Sequence, residues 1–340
     1  MSPIAATLAT QGAQIAALTL ELGRPVDVAS LGIFDRRGQI ALDPPGLVSP
    51  NRACRLFPTA DDWMVLNLAR DDDQGLVAAW LRCEVGDDPW AAVLRVAKSR
   101  PAAELLTDAV MLGLPAGRVG EITAPNPDAP IPMGAPARRR RTGAPRVVDM
   151  SALWAGPMCG AILAEAGAAV TKIESTRRPD PTRASMPGFF QRLNGRKRDL
   201  TLDLGAAAGQ GRLRDEILAA DVLITSARPR AFASLGLSPQ EVFSANPALT
   251  WVAITGYGWT GEAASRVAFG DDAAAAGGLV RWTRAGAPRF LGDALADPVT
   301  GLAAALGALK GLASGGGVLI DVSLARSAAG AAADRKALAA

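Results

Sequence analysis

From residue 146 to residue 256, four short apolar runs ending in VVDM, TKIE, LITS and AITG alternate with segments of helical character. Strands are expected at about 146–150, 169–174, 221–226 and 249–255, with helices at about 157–167, 207–219 and 238–245. Strands joined through helices pair in parallel, because a parallel partner is reached only by a long crossover. This half of the chain therefore reads as an α/β fold, a Rossmann-like, doubly wound, mostly parallel sheet. In such sheets ligands lie beyond the carboxyl ends of the strands, so the loops after these four runs are the place to look for a site.

The preceding stretch, residues 124–145, is dense in proline, glycine and arginine and has no apolar period, which marks it as a linker. Its run Arg138–Arg141 reads as solvated charge. Before it, residues 62–70 alternate as a strand does, residues 74–83 and 89–113 carry helical spacing, and residues 114–119 close as a strand or loop. Residues 1–123 thus read as a second, smaller α+β domain, beginning with a helical stretch and a polar loop, and residues 146–340 as the sheet domain. Trp63, Trp80 and Trp90 at this spacing read as core.

The chain contains no histidine, which excludes Ser/His/Asp triads, Cys/His pairs and His-ligated metals and leaves carboxylate chemistry, or none. Cys54, Cys83 and Cys159 are odd in number and scattered, suiting neither a disulfide framework nor a zinc site. A formal net charge of +3 gives no general field for nucleic acid. The N-terminal stretch lacks a basic n-region, and the longest apolar run, residues 299–320, is interrupted by Lys310 and three consecutive glycines. A cytoplasmic protein is expected, bound neither to membrane nor to nucleic acid.

The first strand-to-helix turn, SALWAGPMCG, supplies only Gly156 and Gly160 where a dinucleotide fingerprint needs three glycines. Pro157 fits the first turn of a helix whose free N–H groups can still attract phosphate. A nucleotide-like ligand fits this turn better than a nicotinamide or flavin cofactor.

Several collinear motifs resemble the class III CoA-transferase (CaiB/BaiF) family: residues 147–174, DPTR at 180–183, LNGRKRDLTLDL at 193–204, residues 220–261, and GDALADPVTGLAAALGAL at 292–309. The resemblance implies that coenzyme A is bound as a substrate, with no metal, and that acyl-CoA and a carboxylic acid are the partners of a homodimer. It also implies a nucleophilic aspartate, Asp297 in ADPVTG, which forms a mixed anhydride and then an aspartyl-CoA thioester. Read from the residues alone, Asp297 and Pro298 form a helix start, with Asp297 as N-cap. A carboxylate nucleophile needs no histidine to activate it.

By the same resemblance, coenzyme A lies against Trp154 and Ala155, against Leu202, Asp203 and Leu204, and against Ser226, Ala227 and Arg228. The loop that usually reads ENFRPG is TSARPR here, so phosphate contacts fall to Arg228, Arg230, Arg177 or Lys197. Racemases of the family carry Gly-His-Asp where this chain has Gly270-Asp271-Asp272, making Asp271 and Asp272 candidates for a proton shuttle. An acyl-CoA racemase or isomerase, or a noncatalytic CoA-binding relative, is the alternative to transfer. The family's small domain normally follows the aspartate helix. Residues 51–121 resemble it but come first, which implies a circular permutation.

Overall fold

A computed structural model describes residues 2–21, 23–84, 88–137 and 143–337; the Arg138–Arg141 run lies outside the described residues. Helix α1 (Ala5–Glu21) leads into a polar loop, then strands β1 (Cys54–Pro58) and β2 (Trp63–Asn67). Helices α2 (Asp71–Leu81), α3 (Pro89–Val96) and α4 (Ala102–Leu112) follow, and β3 (Ala116–Arg118) completes an antiparallel sheet of order β1-β2-β3. The single helix expected over 89–113 is divided, because Pro101 holds Arg100 in extended conformation (φ −118°, ψ 143°). Trp80 is fully buried between these helices and donates through Nε1 to the Leu105 carbonyl (2.9 Å), as a core residue does.

The linker is not structureless. Its β4 (Ile131–Pro132) pairs antiparallel with the edge of the large sheet. There follow β5 (Arg146–Asp149), α5 (Ala155–Glu165), β6 (Ala169–Ser175), α6 (Thr182–Ser185), α7 (Pro187–Asn194), β7 (Arg198–Leu202), α8 (Ala207–Leu218), β8 (Val222–Thr225), α9 (Pro229–Ala233), α10 (Pro239–Ala245) and β9 (Thr250–Thr255). Helix α11 (Gly270–Ala276), the hairpin β10 (Val280–Trp282) and β11 (Pro288–Phe290), α12 (Ala296–Ser314), β12 (Val318–Ser323) and α13 (Leu324–Ala337) complete the chain. The seven-stranded sheet has the order β4-β12-β9-β8-β5-β6-β7 and is parallel throughout except at β4. This is the doubly wound α/β architecture expected, beside a smaller α+β unit.

Successive strands run outward from β5 in both directions, through β6 and β7 on one side and β8, β9 and β12 on the other, so the switch point lies between β5 and β8. Ile15, Val26, Val28 and Ile33 enter the core built around α5 and α12, whereas the small unit's own core draws only on residues 57–116. By packing, the first 34 residues therefore go with the sheet domain rather than with the small unit. Helix α1 also reaches α13, where Thr7 Oγ1 donates to Asp334 Oδ2 (3.1 Å). No helix among the described residues is long and apolar enough to cross a membrane.

Candidate active site

At the switch point, the loops after β5, β8 and β9 and the heads of α5 and α12 surround a cleft of about 720 Å³. The loop after β5 is locked from below by two buried ion pairs. Lys197 Nζ donates to Asp149 (2.7 Å), to the Pro157 carbonyl (2.8 Å) and to Asn194 Oδ1 (2.8 Å). Lys172 donates to Asp180 (3.1 Å) and to the Ser151 carbonyl. A buried ammonium is retained only where acceptors surround it, so Lys197 ties β5, α5 and α7 together and is unavailable to a phosphate.

Both helices that point into the cleft are entered through strained turns. Leu153 (φ 71°) precedes α5 and Ala294 (φ 45°) precedes α12, each a non-glycine residue in the left-handed region, which costs on the order of 1–2 kcal/mol. Each is pinned by a carboxylate: the Leu153 N–H donates to Asp180 Oδ2 (3.2 Å), and the Ala294 N–H to Asp271 Oδ1 (2.7 Å).

Among the described residues, Asp297 is the single acid lining the cleft, in the first turn of α12. It is the second residue of that helix rather than its cap, because the tight turn at Ala294 starts the helix at Ala296. The carboxylate is half-buried, and the Ala155 backbone N–H at the head of α5 faces it. Burial raises its pKa to about 7, Arg36 works against that rise, and Asp271 and Asp293 add to it. Gly270 makes room for the carboxylate, since a Cβ there would stand 2.2 Å from Asp297 Oδ2.

Among the described residues, five arginines line the same cleft: Arg70, Arg178, Arg228, Arg230 and Arg266. Arg70 is held by Asp73 (2.6 Å), and Arg266 by Glu121 (2.5 Å) while lying over the Tyr257 ring (3.6 Å). Among the described residues, Arg178, Arg228 and Arg230 have no carboxylate partner, and the pKa of Arg228 is lowered by burial and by Arg230 and Arg70. One acid beneath uncompensated cations suits a multiply anionic ligand with one end directed at Asp297.

The cleft brings together five residues singled out by sequence: Asp297, Ala155, Ser226, Ala227 and Arg228, with Arg230 beside them. It does not bring in Trp154, which is buried, donates to the Ile33 carbonyl (2.9 Å) and meets Phe189 edge-on (5.1 Å). Leu202 and Leu204 pack into the core on the far face of the sheet. Asp203 is exposed, capping Gly205 (2.9 Å) near Arg177 (3.7 Å). Nor do Asp271 and Asp272 line the cleft. Asp271 has both oxygens engaged, by Ala294 and by Asn51 Nδ2 (2.6 Å), and burial raises its pKa to about 6. Asp272 accepts from the Phe269 N–H (3.0 Å) and Asn67 Nδ2 (3.2 Å), and burial raises its pKa to about 8. Sequence reading missed Arg70, Arg178 and Arg266, which carry no signal of their own in the sequence and are gathered only by the fold.

The family model for CoA-transferase family III matches residues 145–337. An acyl-CoA transferase of Fusarium pseudograminearum is 33% identical over 200 residues, covering 53% of this chain and 44% of that protein. A succinyl-CoA–D-citramalate CoA-transferase of Chloroflexus aurantiacus is 30% identical over 192 residues, covering 53% and 48%. The chain thus spans about half the length of the curated relatives it matches. The crystal structure of a CAIB/BAIF family protein from Brucella suis aligns at a TM-score of 0.51 with 28% identity, covering 59% of this chain and 55% of that one.

Proposed function

Since the chain belongs to CoA-transferase family III, we propose that it moves coenzyme A from an acyl-CoA donor to a carboxylic acid, with Asp297 as nucleophile. The observation that carries this reading is the lone, half-buried Asp297 carboxylate at the floor of an arginine-lined cleft. A carboxylate oxygen of Asp297 attacks the thioester carbonyl; the C–S bond breaks, giving an acyl-aspartyl anhydride and the CoA thiolate. The thiolate then attacks the aspartyl carbonyl and releases the donor acid, leaving an aspartyl-CoA thioester. Attack on that thioester by the acceptor carboxylate frees the thiolate again, which takes the new acyl group and restores Asp297. The head of α5, with the Ala155 N–H toward Asp297, stabilises charge developing there. Arg178, Arg228 and Arg230 hold the phosphates of coenzyme A.

Racemisation needs a base at the α-carbon, and Asp271, with both oxygens engaged outside the cleft, favours transfer instead. The test is peptide mass spectrometry after incubation with a panel of acyl-CoAs and hydroxylamine. A hydroxamate on Asp297, absent from Asp297→Asn, is expected; no adduct from any donor despite CoA binding would overturn the assignment.

The order of the domains is proposed to be circularly permuted. The approach of α1 to α13 supports this, as does β4, through which the chain returns from the small unit to the sheet edge. A chain running from residue 146 to 337, then through a short glycine-serine linker into 2–123, should fold and bind coenzyme A. Failure to fold with linkers of several lengths would count against the permutation.

A further inference from the structure

Behind Asp297, on the side away from the cleft, lies a connected set of groups that transfer as described leaves unused. Arg36, in the loop after α1, makes a two-pronged contact with Asp293: Nε donates to Oδ2 (2.9 Å) and Nη2 to Oδ1 (2.6 Å). Both side chains are largely buried, at 15% and 10% exposure, so this pair is screened little by solvent. The guanidinium also lies over the Trp154 ring (5.1 Å), and Trp154 immediately precedes the Ala155 N–H that faces Asp297. Asn51 Nδ2 bridges Asp293 Oδ1 (2.9 Å) and Asp271 Oδ2 (2.6 Å), and Asp271 pins the turn from which α12 begins. The chain of contacts from Trp154 through Arg36, Asp293 and Asn51 to Asp271 therefore joins the heads of the two helices between which Asp297 sits.

The charges in this set do not balance without Arg36. Three acids, Asp271, Asp293 and Asp297, stand at the head of one helix within electrostatic reach of each other. On this side Arg36 is the cation that answers them; on the other, Arg178, Arg228 and Arg230 face the cleft and an anionic ligand that would take up their charge, while Arg70 and Arg266 already have carboxylate partners. We propose that Arg36 is a positioning residue for Asp297, setting its charge through Asp293 and its aim through Trp154 and Asn51. The role rests on the reading of Asp297 as nucleophile and extends it to a segment, residues 33–51, outside the matched region.

The guanidinium is required, rather than any cation. A lysine ammonium reproduces neither the fork on Asp293 nor the stacking on Trp154. Removing the positive charge makes ionisation of Asp297 harder, so its titration midpoint should rise by about one unit. Starting near 7, that shift leaves roughly a fivefold smaller carboxylate fraction at pH 7 and nearly the same fraction at pH 9.

The experiment titrates the aspartate carboxyl carbons by NMR in the full chain, with the Asp297 signal assigned by its loss in Asp297→Asn, and measures acyl-adduct formation between pH 6 and 9. Arg36→Gln should raise the midpoint and slow the adduct at every pH, with a loss about fivefold larger at pH 7 than near pH 9. Arg36→Lys should fall between the two, and adding Asp293→Asn to Arg36→Gln should bring the midpoint back down. If Arg36→Gln does not fold, Arg36→Lys and the double variant decide. An unmoved midpoint, or a rate loss equal at every pH, would overturn the role. A wild-type chain that titrates as expected but forms no adduct at any pH would overturn the nucleophile, and this role with it.

Discussion

Gly270→Ala tests whether the space for the Asp297 carboxylate is as tight as its surroundings require. The new methyl would stand 2.2 Å from Asp297 Oδ2 and 2.7 Å from both the Cβ and the carbonyl oxygen of Ala294. Restoring ordinary contact requires the carboxylate to withdraw by about 1 Å, and displacement of that size from a reactive geometry costs on the order of 100-fold in rate. Ala294 cannot move far, being fixed in a strained turn by Asp271, so the variant should also lose roughly 1–3 kcal/mol of stability. The sign is diagnostic. Gly270 opens α11, where alanine is otherwise favoured over glycine by about 0.5–1 kcal/mol, so a roomy site would make the variant more stable. Denaturant unfolding reports the stability, adduct formation the rate, and calorimetry with coenzyme A confirms that the cleft still binds. Equal or greater stability with a wild-type adduct rate would refute the packing argument.

Asp272→Asn should flatten the pH dependence of stability. An acid whose folded pKa, about 8, lies above its unfolded value of ~4 stabilises most below pH ~4 and loses that contribution as pH rises through 8. The asparagine retains an oxygen for the Phe269 and Asn67 donors, so the variant should be the more stable chain at pH 8.5 by denaturant unfolding; equal stability would contradict the raised pKa. Arg228→Ala and Arg230→Ala should each weaken coenzyme A binding roughly fivefold at low salt, and less at high salt, by calorimetry. Unchanged affinity in both would remove them from the phosphate site.

The large sheet was legible because its strands are short apolar runs separated by helices, a pattern that hardly any other fold accommodates. Asp297 and the loop from Ser226 to Arg228 were legible through motif resemblance, and the fold does bring them to one cleft. Trp154 and Lys197 show what a motif leaves unsaid. Both lie in matching segments, but Trp154 turns inward to the Ile33 carbonyl and Lys197 is consumed by a buried carboxylate. The direction of a side chain depends on partners distant in sequence. The same limit hid Arg36 and Asn51, which sit in a polar stretch without periodicity and become meaningful only when the loop after α1 folds over α5. The first residues were equally opaque, because α1 buries its apolar side against α12, nearly three hundred positions away.

Apart from Asp293, the neighbours that define Asp297 come from positions 36, 155, 270 and 271, so its surroundings are largely non-local. Closing such distant loops is slow, and the βαβ units can form before it is complete. In a chain whose sheet has formed but whose first fifty residues have not docked, Asp297 keeps Asp271 and Asp293 beside it but lacks the Arg36 guanidinium that favours its ionised form. Its ionisation is therefore a clock for the last stage of folding, becoming easier only when Arg36 arrives beside it. It would also be the first property to revert when the docked segment opens locally, before the sheet beneath it unfolds.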